Sequence, residues 1–193
     1  MELINKYKYE GFLGIILIAF TAFKWNSLFL PYFWDELAYY AQAAIYMHDN
    51  TLSLLPNALP SDLSRGHPLL FQFIGGAWFR LTNTSLFSGH VFPLMISLFT
   101  LVISFKLSTL LTNKFYGIIT VIVLAIQPVF IAQSTLILPE IALALFTLLS
   151  IYFLLKENTI ISLIFSTLII LTKEVGVVIP FVIFVYAFIQ KKS

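Results

Sequence analysis

Six stretches of this chain are apolar over roughly the thickness of a bilayer, at 11–30, 91–111, 115–132, 136–155, 159–172 and 175–190. No other feature narrows the fold as much. Lipid offers backbone N–H and C=O groups no water, so such segments cross as helices. A soluble core of 193 residues cannot hide a sequence that is 60% hydrophobic and 10% charged. The expected fold is therefore all-α, a polytopic transmembrane helix bundle of about six spans forming one membrane domain over 1–193. The first run follows Lys6 and Lys8 as a signal peptide would, but Lys24-Trp25-Asn26 stands where a small-residue cleavage site is needed. It reads as an uncleaved first span.

A further stretch, 68–81, contains Gln72, Gly75-Gly76 and Arg80, and whether it crosses decides the sidedness of everything after it. If it does not cross, Lys6, Lys8, Lys106, Lys114, Lys156, Lys191 and Lys192 share one side, leaving Arg65, Arg80 and Lys173 on the other. If it does, five of those lysines move across, against the positive-inside bias. A helix over the stretch is also only about 20 Å long against a ~30 Å hydrocarbon core. The expectation is an embedded, non-crossing segment within an external loop at 31–88, with the N-terminus cytoplasmic and the protein in the cell membrane.

Immediately after the first span comes Phe33-Trp34-Asp35-Glu36-Leu37-Ala38-Tyr39-Tyr40. Continued as a helix over 34–49, it places Asp35, Tyr39, Gln42, Tyr46 and Asp49 on one face and Trp34, Leu37, Ala38, Ala41 and Ile45 opposite. That is the pattern of an amphipathic juxtamembrane helix with its apolar side in lipid. The plainer reading is that Asp35 and Glu36 only occupy the first turn, where the helix dipole favours acids.

The expected topology puts Asp35 and Glu36, Arg65-Gly66-His67-Pro68, Pro139-Glu140 and Lys173-Glu174 on the same non-cytoplasmic side. Spans five and six are short, so Lys173 and Glu174 sit below the headgroups, where ionisable groups face a cavity or each other. The alternative there is simple pairing or snorkelling. With no cysteine there is no thiolate nucleophile or metal site, and His48, His67 and His90 are too dispersed to make a metal site by spacing. No phosphate-binding glycine loop, metalloprotease motif or nucleophile elbow occurs, and no Lys/Arg cluster suggests nucleic acid. Asn83-Thr84-Ser85 fits a glycosylation acceptor, a tripeptide common by chance. What remains is a set of acids and bases on one membrane face. It suits deprotonation of a hydroxyl by a carboxylate while cations hold a phosphate leaving group.

Asp35-Glu36 with Tyr39 after the first span, then His67-Pro68-Leu69 before a short apolar segment, resembles the first external loop of polytopic GT-C glycosyltransferases. The nearest pattern is that of the protein O-mannosyltransferases and the lipid A aminoarabinose transferases. The likeness continues through Gln127-Pro128, Ser134 and Glu140 to Leu171-Thr172-Lys173-Glu174, and so covers about residues 10–190. It implies a polyprenyl-phosphate sugar donor, an acceptor hydroxyl on a protein, lipid or glycan, and inversion at the anomeric carbon. It further implies Asp35 as the base with Glu36 beside it, Lys173 on the lipid phosphate, His67 where relatives have His or Lys, and Glu140 where they have an acid near the site. Arg65 and Glu174, from the same membrane face, join His67, Glu140 and Lys173 as candidate substrate-binding residues. A divalent metal is needed in some branches only, and nothing in the sequence fixes one.

Two departures stand out. His90 occupies a place where relatives commonly carry arginine, and a neutral histidine holds phosphate less firmly. Relatives also run several hundred residues, with more spans and another large external loop. The chain is then either a fragment or a short homologue that needs a second chain to complete the site or has lost activity. Outside the enzyme class, the same charges suit a lipid-handling or transporter-like protein, or a packing subunit of a larger complex.

Overall fold

The computed structural model describes residues 7–190 and is helical, with no strand among them. Helix α1 (Lys8–Lys24) tightens into a 3-10 turn at Trp25–Phe29, and α5 (Leu86–Leu111) is the other long apolar helix. Together with its 3-10 turn, α1 has 22 residues and α5 has 26, each long and apolar enough to cross a membrane. The remaining apolar helices are shorter: α6 (Lys114–Ala125), α8 (Pro139–Leu155), α9 (Thr159–Thr172) and α10 (Val178–Gln190). The run expected at 115–132 is broken. Pro128 cannot donate to the preceding turn and holds Gln127 extended, so a separate helix α7 (Pro128–Gln133) begins there.

Side-chain oxygens set the helix starts. Asn113 accepts from the N–H of Phe115 and Tyr116 at the head of α6, Asn158 accepts from Ile161 at the head of α9, and Ser85 accepts from Ser88 at the head of α5. Asn83 in turn accepts from the Ser85 N–H at 3.0 Å, so the Asn-Thr-Ser tripeptide has a local structural use. Helices α8 and α9 are joined by buried hydroxyls: Ser150 Oγ donates to the Ser162 carbonyl at 3.0 Å and lies 2.8 Å from Ser166 Oγ. Small polar residues of this kind let helices approach closely where lipid offers no hydrophobic drive.

The bundle is polarised end to end. At one end Glu10 pairs with Lys114 at 2.5 Å, and Lys106 and Lys156 line the same groove. Leu28 lies about 27 Å further along the helix axis, at the end that carries loop one. Lys6, Lys191 and Lys192, expected on the lysine-rich side, lie outside the described residues.

Loop one is folded rather than draped. Helices α2 (Ala41–Asp49), α3 (Ser61–Ser64) and α4 (Leu70–Leu81) pack into it, with α2 lying along α4. The even helix expected over 34–49 is corrected here. Trp34 has a left-handed backbone (φ 52°), and Glu36–Tyr40 forms a widened turn in which the Ala41 N–H reaches the Glu36 carbonyl. The extra residue rotates the helix beyond it, so Ala41, Ala43, Ala44 and Met47 are buried, while Trp34 and Leu37 remain exposed. The cause is α4, whose Gly75-Gly76 pair offers bare backbone: a Cβ on Gly76 would fall 2.8 Å from Met47 Cβ and 3.1 Å from the Ala44 carbonyl oxygen. Gly76→Val is therefore expected to destabilise the protein by about 1–3 kcal/mol through overpacking, read as a lower melting temperature in detergent. Arg80, one helix face away, donates to the carbonyls of Met47, His48 and Asn50 and so closes the end of α2.

Candidate active site

Four of the sequence-predicted residues meet. Asp35, Arg65, His67 and Lys173 line one cavity of about 180 Å³ together with Tyr39 and Tyr40. Asp35 is carried there by the widened turn, one residue after the strained Trp34. Arg65 and Gly66 are both left-handed (φ 49° and 77°), which reverses the chain after α3 and brings Arg65 and His67 to the same cavity. A bulky residue with positive φ is unfavourable, and such outliers concentrate at functional sites. The Arg65 guanidinium lies 4.2 Å from the centre of the Tyr39 ring, a cation–π contact that fixes both side chains at the rim.

Lys173 comes from the break between α9 and the short turn Glu174–Val177. Its Nζ donates to Glu140 Oε1 at 2.5 Å. Glu140 is placed by Pro139, which opens α8 at a position where its missing N–H is harmless and where an acid suits the helix dipole. That hydrogen bond holds the Lys173 ammonium above its ordinary range, outweighing partial burial. Only one Glu140 oxygen is used: Oε2 is buried without a partner. The next residue, Glu174, sits with its carboxylate oxygens 2.9 and 3.0 Å from His67 Nδ1. Its own backbone N–H, followed by His67, lowers its carboxyl below the usual range. Burial raises the Tyr40 phenol, with Lys173 working against the shift, so Tyr40 remains a neutral donor at the cavity wall.

Glu36 behaves differently from its neighbour. Expected to work beside Asp35, it is instead fully buried and does not line the cavity. Glu36 Oε1 accepts the Ile137 N–H at 2.9 Å and lies 3.2 Å from His90 Nε2, while Oε2 accepts the Phe33 N–H at 3.1 Å. His90, itself 2% exposed, directs Nδ1 at the Leu28 carbonyl, 3.2 Å away. A carbonyl only accepts, so Nδ1 carries a proton toward Leu28 while Nε2 faces the Glu36 carboxyl. Tyr32 packs edge-on against that ring, and burial, reinforced by the Glu36 charge, pushes its phenol up to about 12. His90 thus lies behind the site and not in it. Glu36 and His90 tie together the end of α1, the loop-one acids and the link from α7 to α8.

The residues that sequence reasoning missed are Tyr40 and Gln72, which line the cavity. Gln72 is the only polar side chain in Leu69-Leu70-Phe71-Gln72-Phe73-Ile74, and that isolation was its signal. Among the described residues, no group of three or more His, Cys, Asp or Glu gathers as metal ligands.

A family model described as dolichyl-phosphate-mannose-protein mannosyltransferase matches residues 66–193. The matched stretch contains His67, Gln72, Glu140, Lys173 and Glu174, and begins after Asp35, Glu36 and Arg65. No curated protein and no solved structure matches the chain.

Proposed function

The chain belongs to the dolichyl-phosphate-mannose-protein mannosyltransferase family, whose model covers more than half of its length, and on that premise we propose a specific chemistry for its cavity. The family makes it a glycosyltransferase of the GT-C type. The donor is a sugar on a polyprenyl phosphate, and the acceptor is a hydroxyl on the non-cytoplasmic side. In this reading the bundle crosses in six spans, with 68–81 embedded and the Glu10–Lys114 end cytoplasmic.

The observation that supports it is the single cavity shared by one free carboxylate and three cationic or cation-forming groups from distant parts of the chain. Asp35 accepts the proton of the acceptor hydroxyl as its oxygen attacks the anomeric carbon. The bond from that carbon to the phosphate oxygen breaks, and its electron pair leaves with the lipid phosphate. Lys173, Arg65 and His67 bear the charge that develops there, as cationic groups already placed around the leaving phosphate. Attack opposite the leaving phosphate inverts the carbon. Glu140 holds Lys173 in place before the donor arrives, and Glu174 does the same for His67.

The test is donor binding. Lys173→Met is expected to weaken binding of bare polyprenyl phosphate by on the order of 10- to 30-fold, the scale of losing one charge-assisted contact, in the full protein in lipid nanodiscs. Unchanged affinity would move the phosphate away from Lys173.

A lipid-handling protein without turnover is the second reading, favoured by the same intramembrane pair of Lys173 and Glu140. It differs from the first in needing no base at Asp35.

A further inference from the structure

One buried polar side chain at the cavity takes no part in the transfer itself. Gln72 on α4 is 2% exposed, and its Oε1 has no hydrogen-bond partner. It lines the same cavity as Asp35, Tyr40 and Lys173. A buried amide oxygen without a partner costs free energy that a leucine there would not. Its neighbours Phe71 and Phe73 are apolar, so leucine would also fit the local pattern. The amide oxygen is thus a standing cost in the ligand-free protein, and a ligand that donates to it removes that cost.

The chemistry of the amide narrows the ligand. Phosphate oxygens only accept, and Lys173, Arg65 and His67 already supply donors for them. A carboxamide offers both a donor and an acceptor at one end, the complement of a hydroxyl, which has both. It also adds no charge beside Asp35, whose ionised form the transfer requires.

We propose that Gln72 is a sugar-recognition residue, its amide bonding a hydroxyl of the donor's pyranose ring while Lys173 holds the phosphate attached to it. This rests on the lipid-linked donor reading above. It divides the cavity into three parts: cations for the leaving group, Asp35 for the proton, and a neutral amide that reads the sugar. Sites built to bond a substrate hydroxyl discriminate sharply against analogues lacking it, because their own polar group is then stranded.

The experiment compares binding of polyprenyl-phosphate mannose with bare polyprenyl phosphate, using the full protein in nanodiscs. Gln72→Leu is expected to lose on the order of 10- to 100-fold in affinity for the sugar-bearing lipid. Affinity for the bare lipid stays within about twofold, and the melting temperature of the ligand-free protein is unchanged or raised, because an unpartnered amide oxygen has been removed. A second measurement needs no variant. Among monodeoxy mannosyl donors, wild type rejects one position by a similar factor, and Gln72→Leu no longer distinguishes that donor from its parent. Equal losses for both lipids, or a donor series in which no single hydroxyl matters, overturns the assignment to Gln72. Wild type that binds bare lipid phosphate but gains nothing from the sugar overturns it as well. Wild type that binds neither lipid overturns the donor reading beneath it, and so the two failures are told apart.

Discussion

Asp35→Asn lowers sugar transfer by on the order of 10²- to 10⁴-fold, the range for removing a general base, and leaves donor binding nearly intact. The substitution is close to isosteric, so the cavity keeps its shape while losing the atom that takes the proton. Asp35 is exposed and makes no structural bond of the kind that anchors Glu36, so the variant folds. The measurement is turnover of a polyprenyl-phosphate sugar by the full protein, with donor affinity determined alongside. A drop in turnover at unchanged affinity is the expected split. No turnover even in wild type, with donor binding kept in Asp35→Asn and lost in Lys173→Met, is instead what a lipid-handling protein without a base would give.

Glu36→Ala is expected to fail in another way. Glu36 and His90 are 0% and 2% exposed, with 3.2 Å between Oε1 and Nε2. Removing one partner of such a buried pair leaves the other without its polar contact, at a cost of about 1–3 kcal/mol. Here it also leaves the Ile137 and Phe33 N–H groups without their acceptor. The melting temperature should fall steeply, and activity should be lost with the fold. His90→Leu should behave the same way, and the two losses should not add, because each breaks the same contact. A Glu36→Ala protein that melts normally and yet cannot transfer sugar would return Glu36 to the chemistry, beside Asp35.

The contrast between these adjacent acids shows what the sequence could and could not disclose. That apolar runs form helices, and that Asp35, Arg65, His67 and Lys173 belong together, followed from hydropathy, from lysine placement and from a family likeness. The three stretches that carry them meet in one cavity. The different fates of Asp35 and Glu36 were not legible. They depend on a widened turn at Glu36–Tyr40 and on an amide at Ile137 in a distant linker, and neither leaves a periodic trace. Along 34–49 the polar positions Asp35, Gln42 and Asp49 are exposed as drawn, but the burial of Ala43, Ala44 and Met47 was not legible, since it depends on the added residue of the turn and on the helix lying opposite. Gly75-Gly76 was visible as a pair, but its effect, the close seating of Ala44 and Met47, required knowing which helix lay opposite. His90, read as a weakened phosphate ligand, proves to be a buried partner of Glu36, because local sequence does not say which face of a long helix looks inward.

The central claim is that loop one and the break after α9 meet at the outer end of the bundle. The chain contains no cysteine, so thiols can be placed one pair at a time. His67→Cys combined with Glu174→Cys replaces a pair now 2.9 Å apart. In intact cells, a short membrane-impermeant reagent with two thiol-reactive ends is expected to join the pair within one chain, and to leave a control pair at Lys106 and Lys114 unlabelled until the membrane is opened. Labelling of His67→Cys and Glu174→Cys without joining would contradict the meeting of the two segments, and labelling of the control pair from outside would contradict the side on which they meet.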